Sequence, residues 1–305
     1  MSVASNKNLH QTLRTKSIFL QDIRLFMQNR DIMEVIVPVL DKFCIPDLHI
    51  EPLQILDDNN NEYFLQTSPE LGIKKLLCQG AGDCYSILPA FRANENIGPI
   101  HKQEFTMLEW YRIGLDYMDL SDEVVELFKL LDNNKHNLRV KKITHKDLFK
   151  KYCGLDYKKI TIKILKKICA EKNISLPFAT NKQDILDLIM GSYINKKFAK
   201  NTLTIIYNYP KEQASLSVLV NNMSCRFEIY WGDTELANGF LELRNKKEQQ
   251  QRFETTNIKR GQKNLSALPI DDDFINNLEN MKNTSGVAVG IDRLFMKIEN
   301  HNAIL

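Results

Sequence analysis

The chain has 305 residues, of which 43% are hydrophobic and 26% charged, with a net charge of +3 and a pI of about 8.4. That length suits one large α/β domain or two ordinary ones, and so mild a positive balance gives no argument for a nucleic-acid or membrane partner. The six cysteines, Cys44, Cys78, Cys84, Cys153, Cys169 and Cys225, form no CxxC pair and have no histidines at zinc spacing, so they read as reduced core thiols of a cytoplasmic protein.

The N-terminal stretch MSVASNKNLHQTLRTK lacks an apolar core, so no signal peptide is expected, and no later apolar run approaches the length of a membrane span. Residues 9 to about 30 predict a helix, with Leu13, Ile18, Leu20, Ile23, Leu25, Phe26 and Met27 forming a broad apolar stripe. Residues 34–40, EVIVPVL, read as a β-branched strand that Pro38 assigns to an edge or an interface. Asn59, Asn60 and Asn61 make a turn before a short strand from Tyr63. Ser68 then suits a helix N-cap and Pro69 its first turn, with the helix running to about Leu77.

Residues 85–92, YSILPAFR, predict a strand. A polar loop follows, and then QEFTMLEWYR. Period two places Phe105, Met107, Glu109 and Tyr111 on one face of that strand and Thr106, Leu108, Trp110 and Arg112 on the other. One apolar face thus carries a carboxylate beside a phenol. A connecting loop of about ten residues is long enough to expect a function for it. A helical pattern resumes over 119–132, and the lysine-rich stretch 135–200 reads as a helical insertion with a solvated basic face.

Strands are expected at 202–207, 226–231 and 234–243, the last two joined by Gly232-Asp233. In TELANGFLEL, Asn238, Phe240 and Glu242 share a face, with Glu235 three residues earlier. A helix follows from Glu248 to about Arg260, and GVAVGIDR leads into a final helix from about Asp292 to Glu299. No internal repeat, GxxxxGK[ST] or GxGxxG is present, so a P-loop or Rossmann fold is unsupported.

Carboxylates on an aromatic and apolar face are costly unless a cation or metal meets them. Glu109, Tyr111, Phe240 and Glu242 suit an ammonium on a hydrocarbon stem. Glu235, with or without Glu242, suits a hard cation such as Mg²⁺. Arg92 and Arg293 suit polyphosphate, and Gly286 and Gly290 let a flat ligand approach the backbone.

Three segments carry a resemblance: EVIVPVL with Pro38, FR followed by EFTMLEWYR, and SGVAVGIDRLFM are similar, in order, to motifs 1, 2 and 3 of class II aminoacyl-tRNA synthetases. SPEL, EFTMLEWYR and ELANGFLEL resemble the lysyl branch, and the likeness spans about residues 10–300, weakest in the lysine-rich middle. The chain leaves no room before motif 1 for an anticodon-reading domain. QASLS, ANGFLEL and EQQQRFE are similar to the family of elongation factor P (R)-β-lysine ligases, and Ala288 stands where lysyl synthetases have glycine.

The resemblance implies an α+β class II catalytic core over residues 1–305, with a six- or seven-stranded antiparallel sheet flanked by helices. It implies ATP-dependent activation of (R)-β-lysine, or lysine, and transfer to a lysine of elongation factor P, with Mg²⁺ as cofactor. A homodimer through motif 1 and no stable tRNA binding follow from it too. Ser68, Pro69, Glu70, Glu109, Tyr111, Asn238, Phe240, Glu242 and Ala288 would bind the amino acid. Arg92, Ala93, Asn94, Glu95, Lys102, Glu235, Leu236, Gly290 and Arg293 would bind ATP. Arg92 and Arg293 would be catalytic, and Glu235 and Glu242 metal-binding. Two departures touch ATP: Lys102 replaces an asparagine of the family's HNPEF, and the loop RANENIGPI is one residue longer. A minimal synthetase-like enzyme with another acceptor and an inactive amino-acid-binding paralogue remain as alternatives.

Overall fold

Alternating apolar and polar residues recur along this chain, and the computed structural model, which describes residues 6–93, 98–176, 181–301 and 303–304, gathers them into one large sheet. In chain order the elements are α1 (Asn6–Gln28), β1 (Met33–Glu34), β2 (Leu40–Asp41), β3 (Leu53–Leu56), β4 (Glu62–Leu65), α2 (Glu70–Cys78), β5 (Cys84–Phe91) and β6 (Glu104–Ile113). There follow α3 (Tyr117–Asp132), β7 (Arg139–Thr144), α4 (His145–Cys153), α5 (Ile162–Glu171), α6 (Lys182–Ile189) and β8 (Thr202–Pro210). The chain ends with β9 (Leu219–Val220), β10 (Met223–Trp231), β11 (Thr234–Leu241), α7 (Lys246–Gln262), α8 (Asp272–Asn277), β12 (Thr284–Gly290) and α9 (Ile291–Ile298).

The main sheet runs β1-β5-β6-β12-β11-β10-β8-β7, with β9 paired to β10, and has nine strands among the described residues. Its central pairs are antiparallel, while β1–β5 and β7–β8 are parallel. A second, antiparallel sheet has the order β2-β4-β3. The α+β class is therefore as expected, but the sheet is larger than six or seven strands and is mixed. The additional strands are short or lie at edges, where alternation is too brief to read.

One face of the sheet is dry. Leu108 and Trp110 of β6, Val287 and Val289 of β12, and Phe227 and Ile229 of β10 point there and pack against Phe19 and Ile23 of α1, Leu120 and Val124 of α3, and Leu294 and Phe295 of α9. The other face is covered only at its two ends. At one end α2, α7 and α8 pack around Leu71, Ile73, Phe253 and Phe274. At the other, α4, α5 and α6 pack on Ile206, Tyr209 and Tyr230. Between these clusters the sheet floors an open cavity.

Two expectations need correction. The segment EVIVPVL is not one strand: only Met33–Glu34 and Leu40–Asp41 pair, at its two ends. Pro38 offers no N–H to a ladder, and Ile36 is 85% exposed. The stretch 135–200 is not wholly helical either. Residues 139–144 form β7, parallel to β8, and α4–α6 make the crossover that such a pair requires. The basic stretch is thereby tied into the main sheet.

The Asn238-Gly239 pair, a common turn signal, lies in mid-strand here. The reason is packing. A Cβ on Gly239 would sit 2.4 Å from the Phe227 ring and 2.9 Å from the Gly286 carbonyl oxygen. Gly239→Ala should therefore destabilise the protein by about 1–3 kcal/mol, the usual cost of overfilling a core. Urea unfolding of wild type and variant checks this, and an unchanged midpoint would show that the sheet yields freely at this point.

Candidate active site

The cavity has a volume of about 1820 Å³, above the roughly 300–1,000 Å³ typical of a single small-molecule pocket. Pleating assigns its floor. Phe105, Met107, Glu109 and Tyr111 reach it from β6, Gly286, Ala288 and Gly290 from β12, Asn238 and Phe240 from β11, and Arg226, Glu228 and Tyr230 from β10.

Glu235 joins them through an irregularity. Strict alternation would turn it away from Asn238, but Tyr230 pairs with Glu235 while Ile229 pairs with Ala237. Leu236 is the extra residue of a β-bulge. Its side chain is buried in the dry core, its backbone borders the cavity, and the Glu235 carboxylate returns to the cavity face.

The inner end of the cavity is acidic and almost closed to water. Glu109 is 3% exposed and Glu242 and Lys74 are each 1% exposed. Tyr111 donates to Glu109 Oε1 at 2.6 Å, and Glu109 Oε2 has no hydrogen-bond partner among the described residues. Lys74 Nζ lies 2.5 Å from Glu70 Oε1 and 2.6 Å from Glu242 Oε2. Ser68 Oγ accepts from the Glu70 N–H at 3.2 Å and fixes the start of α2, while Pro69 occupies the cap position and its carbonyl accepts from Ile73 N.

Burial, with Glu70 nearby, pushes the Glu109 carboxyl up to about 8, against the pull of Tyr111 and Lys74. Burial likewise raises Glu242 to about 7, with Lys74 opposing and Glu70 reinforcing the shift. Burial penalises the Lys74 ammonium, yet Glu242 and Glu70 hold its pKa above the ordinary lysine range.

The outer end carries the arginines. The Arg92 guanidinium lies 5.0 Å from the Phe105 ring centroid, and Arg293 Nε donates to the Ile100 carbonyl at 3.1 Å. Arg226 donates to Asn238 Oδ1 at 3.1 Å and to Glu228 Oε1 at 2.5 Å, and Tyr230 donates to Glu228 Oε2 at 3.0 Å. Burial and the adjacent Glu228 raise Glu235 to about 7, opposed by Arg226, Arg293 and Arg92. Lys102 also lines this end.

Most residues singled out in the sequence thus border one cavity. Pro69 and Ala93 do not line it, Pro69 being buried at the cap of α2 and the Ala93 N–H being bound to the Glu51 carbonyl, and Asn94 and Glu95 lie outside the described residues. Sequence reasoning missed Lys74, Arg226 and Glu228. Lys74 stands four residues after Glu70, a spacing that reads equally well as a surface ion pair. Arg226, Glu228 and Tyr230 show period two in RFEIYW, the available signal for the other two.

The match to known proteins agrees with this geometry. The family model described as tRNA synthetases class II (D, K and N) matches residues 1–305. The chain belongs to this family. The elongation factor P–(R)-β-lysine ligase of Pseudoalteromonas translucida is 34% identical over 296 residues, covering 93% of this chain and 90% of that protein. The ligases of the same name from Vibrio parahaemolyticus and Vibrio campbellii are 34% and 35% identical over 298 residues, with 94% of this chain and 91% of each covered. Within the synthetase family, a cavity that pairs an acidic end with an arginine end suits an amino acid beside a nucleotide.

The raised carboxyls predict a pH dependence. In the folded protein Glu109 holds its proton to about pH 8, against an ordinary value of 4.5. Its contribution to stability is present below the ordinary value and is lost as pH rises through about 8. The ligand-free protein should therefore lose stability between about pH 5 and pH 8.5, and Glu109→Gln should flatten that slope. Urea titrations across this range test it, and identical slopes for the two proteins would assign the effect to other groups.

Proposed function

We propose that this enzyme is an ATP-dependent ligase that activates (R)-β-lysine as an adenylate and transfers it to a lysine ε-amine of elongation factor P. The observation that carries the reading is the split cavity: Glu70 with the buried Glu109 and Glu242 at one end, and Arg92 and Arg293 near Glu235 at the other. The acidic end takes the two ammonium groups of a diamino acid, with Phe240 and Tyr111 along its methylenes. That leaves the carboxylate directed at the arginine end, where ATP lies. Ala288, on the floor between Asn238 and Glu109, narrows the site by one methyl relative to glycine and favours the β-amino acid.

In the first step a carboxylate oxygen attacks the α-phosphorus and pyrophosphate leaves. Arg92 and Arg293 stabilise the charge that develops on phosphate, an effect worth about 3 kcal/mol for a well-placed donor. Holding carboxylate and phosphate in line supplies much of the rest. In the second step the acceptor ε-amine, having lost its proton, attacks the adenylate carbonyl and AMP departs. No enzyme nucleophile is needed.

Glu235 and Glu228 fit Mg²⁺. They are neighbouring carboxylates amid arginines, and burial, reinforced by Glu228, raises Glu235. Magnesium is commonly held by one or two carboxylates and shares the rest of its shell with phosphates and water. Bound there, Mg²⁺ would neutralise phosphate charge. Glu242 and Glu228 each carry a resident cation, Lys74 and Arg226, and Glu228 is the one that adjoins Glu235, which makes it the better second ligand.

Incubation with ATP, Mg²⁺, (R)-β-lysine and elongation factor P should add one β-lysyl unit to a single lysine of that factor, read by intact-mass spectrometry. Glu242→Ala should abolish the addition, because the substrate ammonium would lose its buried partner. An unmodified factor beside efficiently charged tRNA would refute the proposal in favour of a synthetase.

We place the enzyme in the cytoplasm, in keeping with six free cysteines, and read it as a homodimer. Ile36 is an exposed apolar side chain in motif 1, the segment expected to meet a second copy. Light scattering should give twice the chain mass, and Ile36→Glu should shift it toward monomer. A monomeric wild type at micromolar concentration rules the dimer out.

A further inference from the structure

Among the described residues the inner end holds three carboxylates, Glu70, Glu109 and Glu242, and one cation, Lys74. Lys74 is buried at 1% exposure, with Glu70 and Glu242 on its ammonium, and Glu109 and Tyr111 close the same space. Buried lysines are rare, and one that stays charged needs partners of this kind. Its partners come from different elements. Glu70 lies one turn earlier on α2, whereas Glu242 follows β11 on the sheet. One ammonium therefore joins the helix to the sheet at the point where a substrate amine would enter.

Glu242 is held from both sides. A Cβ on Gly286 would fall 2.6 Å from its Oε1, so the carboxylate is seated against bare backbone of β12, while Oε2 faces Lys74. Remove the lysine charge and Glu70 and Glu242 face one another across an empty site. Such neighbours repel, and either one turns away or takes up a proton. Either response spoils the position of a group that must meet an amine within hydrogen-bonding distance.

We propose that Lys74 is a positioning residue that sets the charge and spacing of the amino-acid pocket. Once an entering amine draws Glu109 and Glu242 into their ionised forms, three carboxylates less one built-in ammonium leave two negative charges, the complement of a substrate with two ammonium groups. A monoamino acid of the same length leaves one carboxylate uncompensated, so the pocket selects diamino acids by charge count as well as by shape. This rests on the reading of the inner end as the amino-acid site.

The test uses ATP–pyrophosphate exchange with the full-length protein, (R)-β-lysine and lysine as substrates and norleucine as the monoamino control. Lys74→Ala should raise the amino-acid KM at least about tenfold, as expected when a buried charge partner is removed, and leave the ATP KM within about twofold. Millimolar ethylammonium, which fits the space left by the side chain, should restore much of the loss, whereas ethanol should not. Lys74→Met, which fills the space without charge, should show the loss and no rescue.

A rise in both KM values together, or loss without ethylammonium rescue in a Lys74→Ala protein that melts like wild type, overturns the role of Lys74 while leaving the ligase reading intact. So does unchanged amino-acid KM in Lys74→Met. A wild type that exchanges with neither (R)-β-lysine nor lysine removes the amino-acid site itself, and the inference with it.

Discussion

A pleated strand sends successive side chains to opposite faces, and four neighbouring strands here keep that alternation in phase. On β6, β12, β11 and β10 the odd-or-even choice decides whether a residue meets hydrocarbon or the cavity. Leu108 and Trp110 go one way, and Glu109 and Tyr111 the other. A slip of one residue in any strand would bury its charges in the dry core and expose its aliphatics to the site. The cross-strand register, Gly286 to Tyr111 and Ala288 to Glu109 on one side and Asn238 to Ala288 on the other, is thus a requirement of the chemistry as much as of the fold. The departure between β10 and β11, the bulge at Leu236, moves one carboxylate to the cavity face.

Charge within the cavity is sorted by distance from solvent. The inner end is nearly dry, so ionising Glu109 and Glu242 is costly, and both are held toward the neutral form until a cation arrives. The outer end sets Glu235 and Glu228 among three arginines, so carboxylates and guanidinium groups balance one another there. Such a division suits ammonium at one end and polyphosphate at the other, as the proposed reaction requires. On that reading the gradient would orient a zwitterionic amino acid before any shape-specific contact forms.

The architecture was legible in the sequence wherever period two ran long. QEFTMLEWYR and TELANGFLEL gave the correct faces, Glu235 apart, because each is a long strand with a dry face opposite the cavity. Short edge elements were not legible. Met33–Glu34 and Leu219–Val220 are too brief to show a period, and the β-branched run around Pro38 read as a strand although most of it has no ladder partner. Residues 139–144 were hidden in lysine-rich surroundings, because their pairing depends on β8, some sixty residues later. Lys74 escaped for another reason: Glu70-x-x-x-Lys74 is a common exposed helix pair, and only the sheet's Glu242, far away in sequence, makes it a buried one.

The small residues of β12 show how fold and ligand divide their demands along one strand. Gly286 is required by the protein alone, since any Cβ there collides with the Tyr111 ring at 2.3 Å and with Glu242. Gly290 is different. A Cβ at that position would meet only Arg293 side-chain atoms at 3.9–4.0 Å, an ordinary contact, and the backbone there has no positive φ. Neither packing nor conformation accounts for the missing side chain. Gly290 lies at the arginine end, where the proposed nucleotide would rest flat on the strand, and a methyl would lift it from the backbone. Between them Ala288 has a side chain, pointing at the span where amino acid and phosphate must meet. Gly286, Ala288 and Gly290 thus grade from a constraint of the empty fold to a constraint of the occupied site.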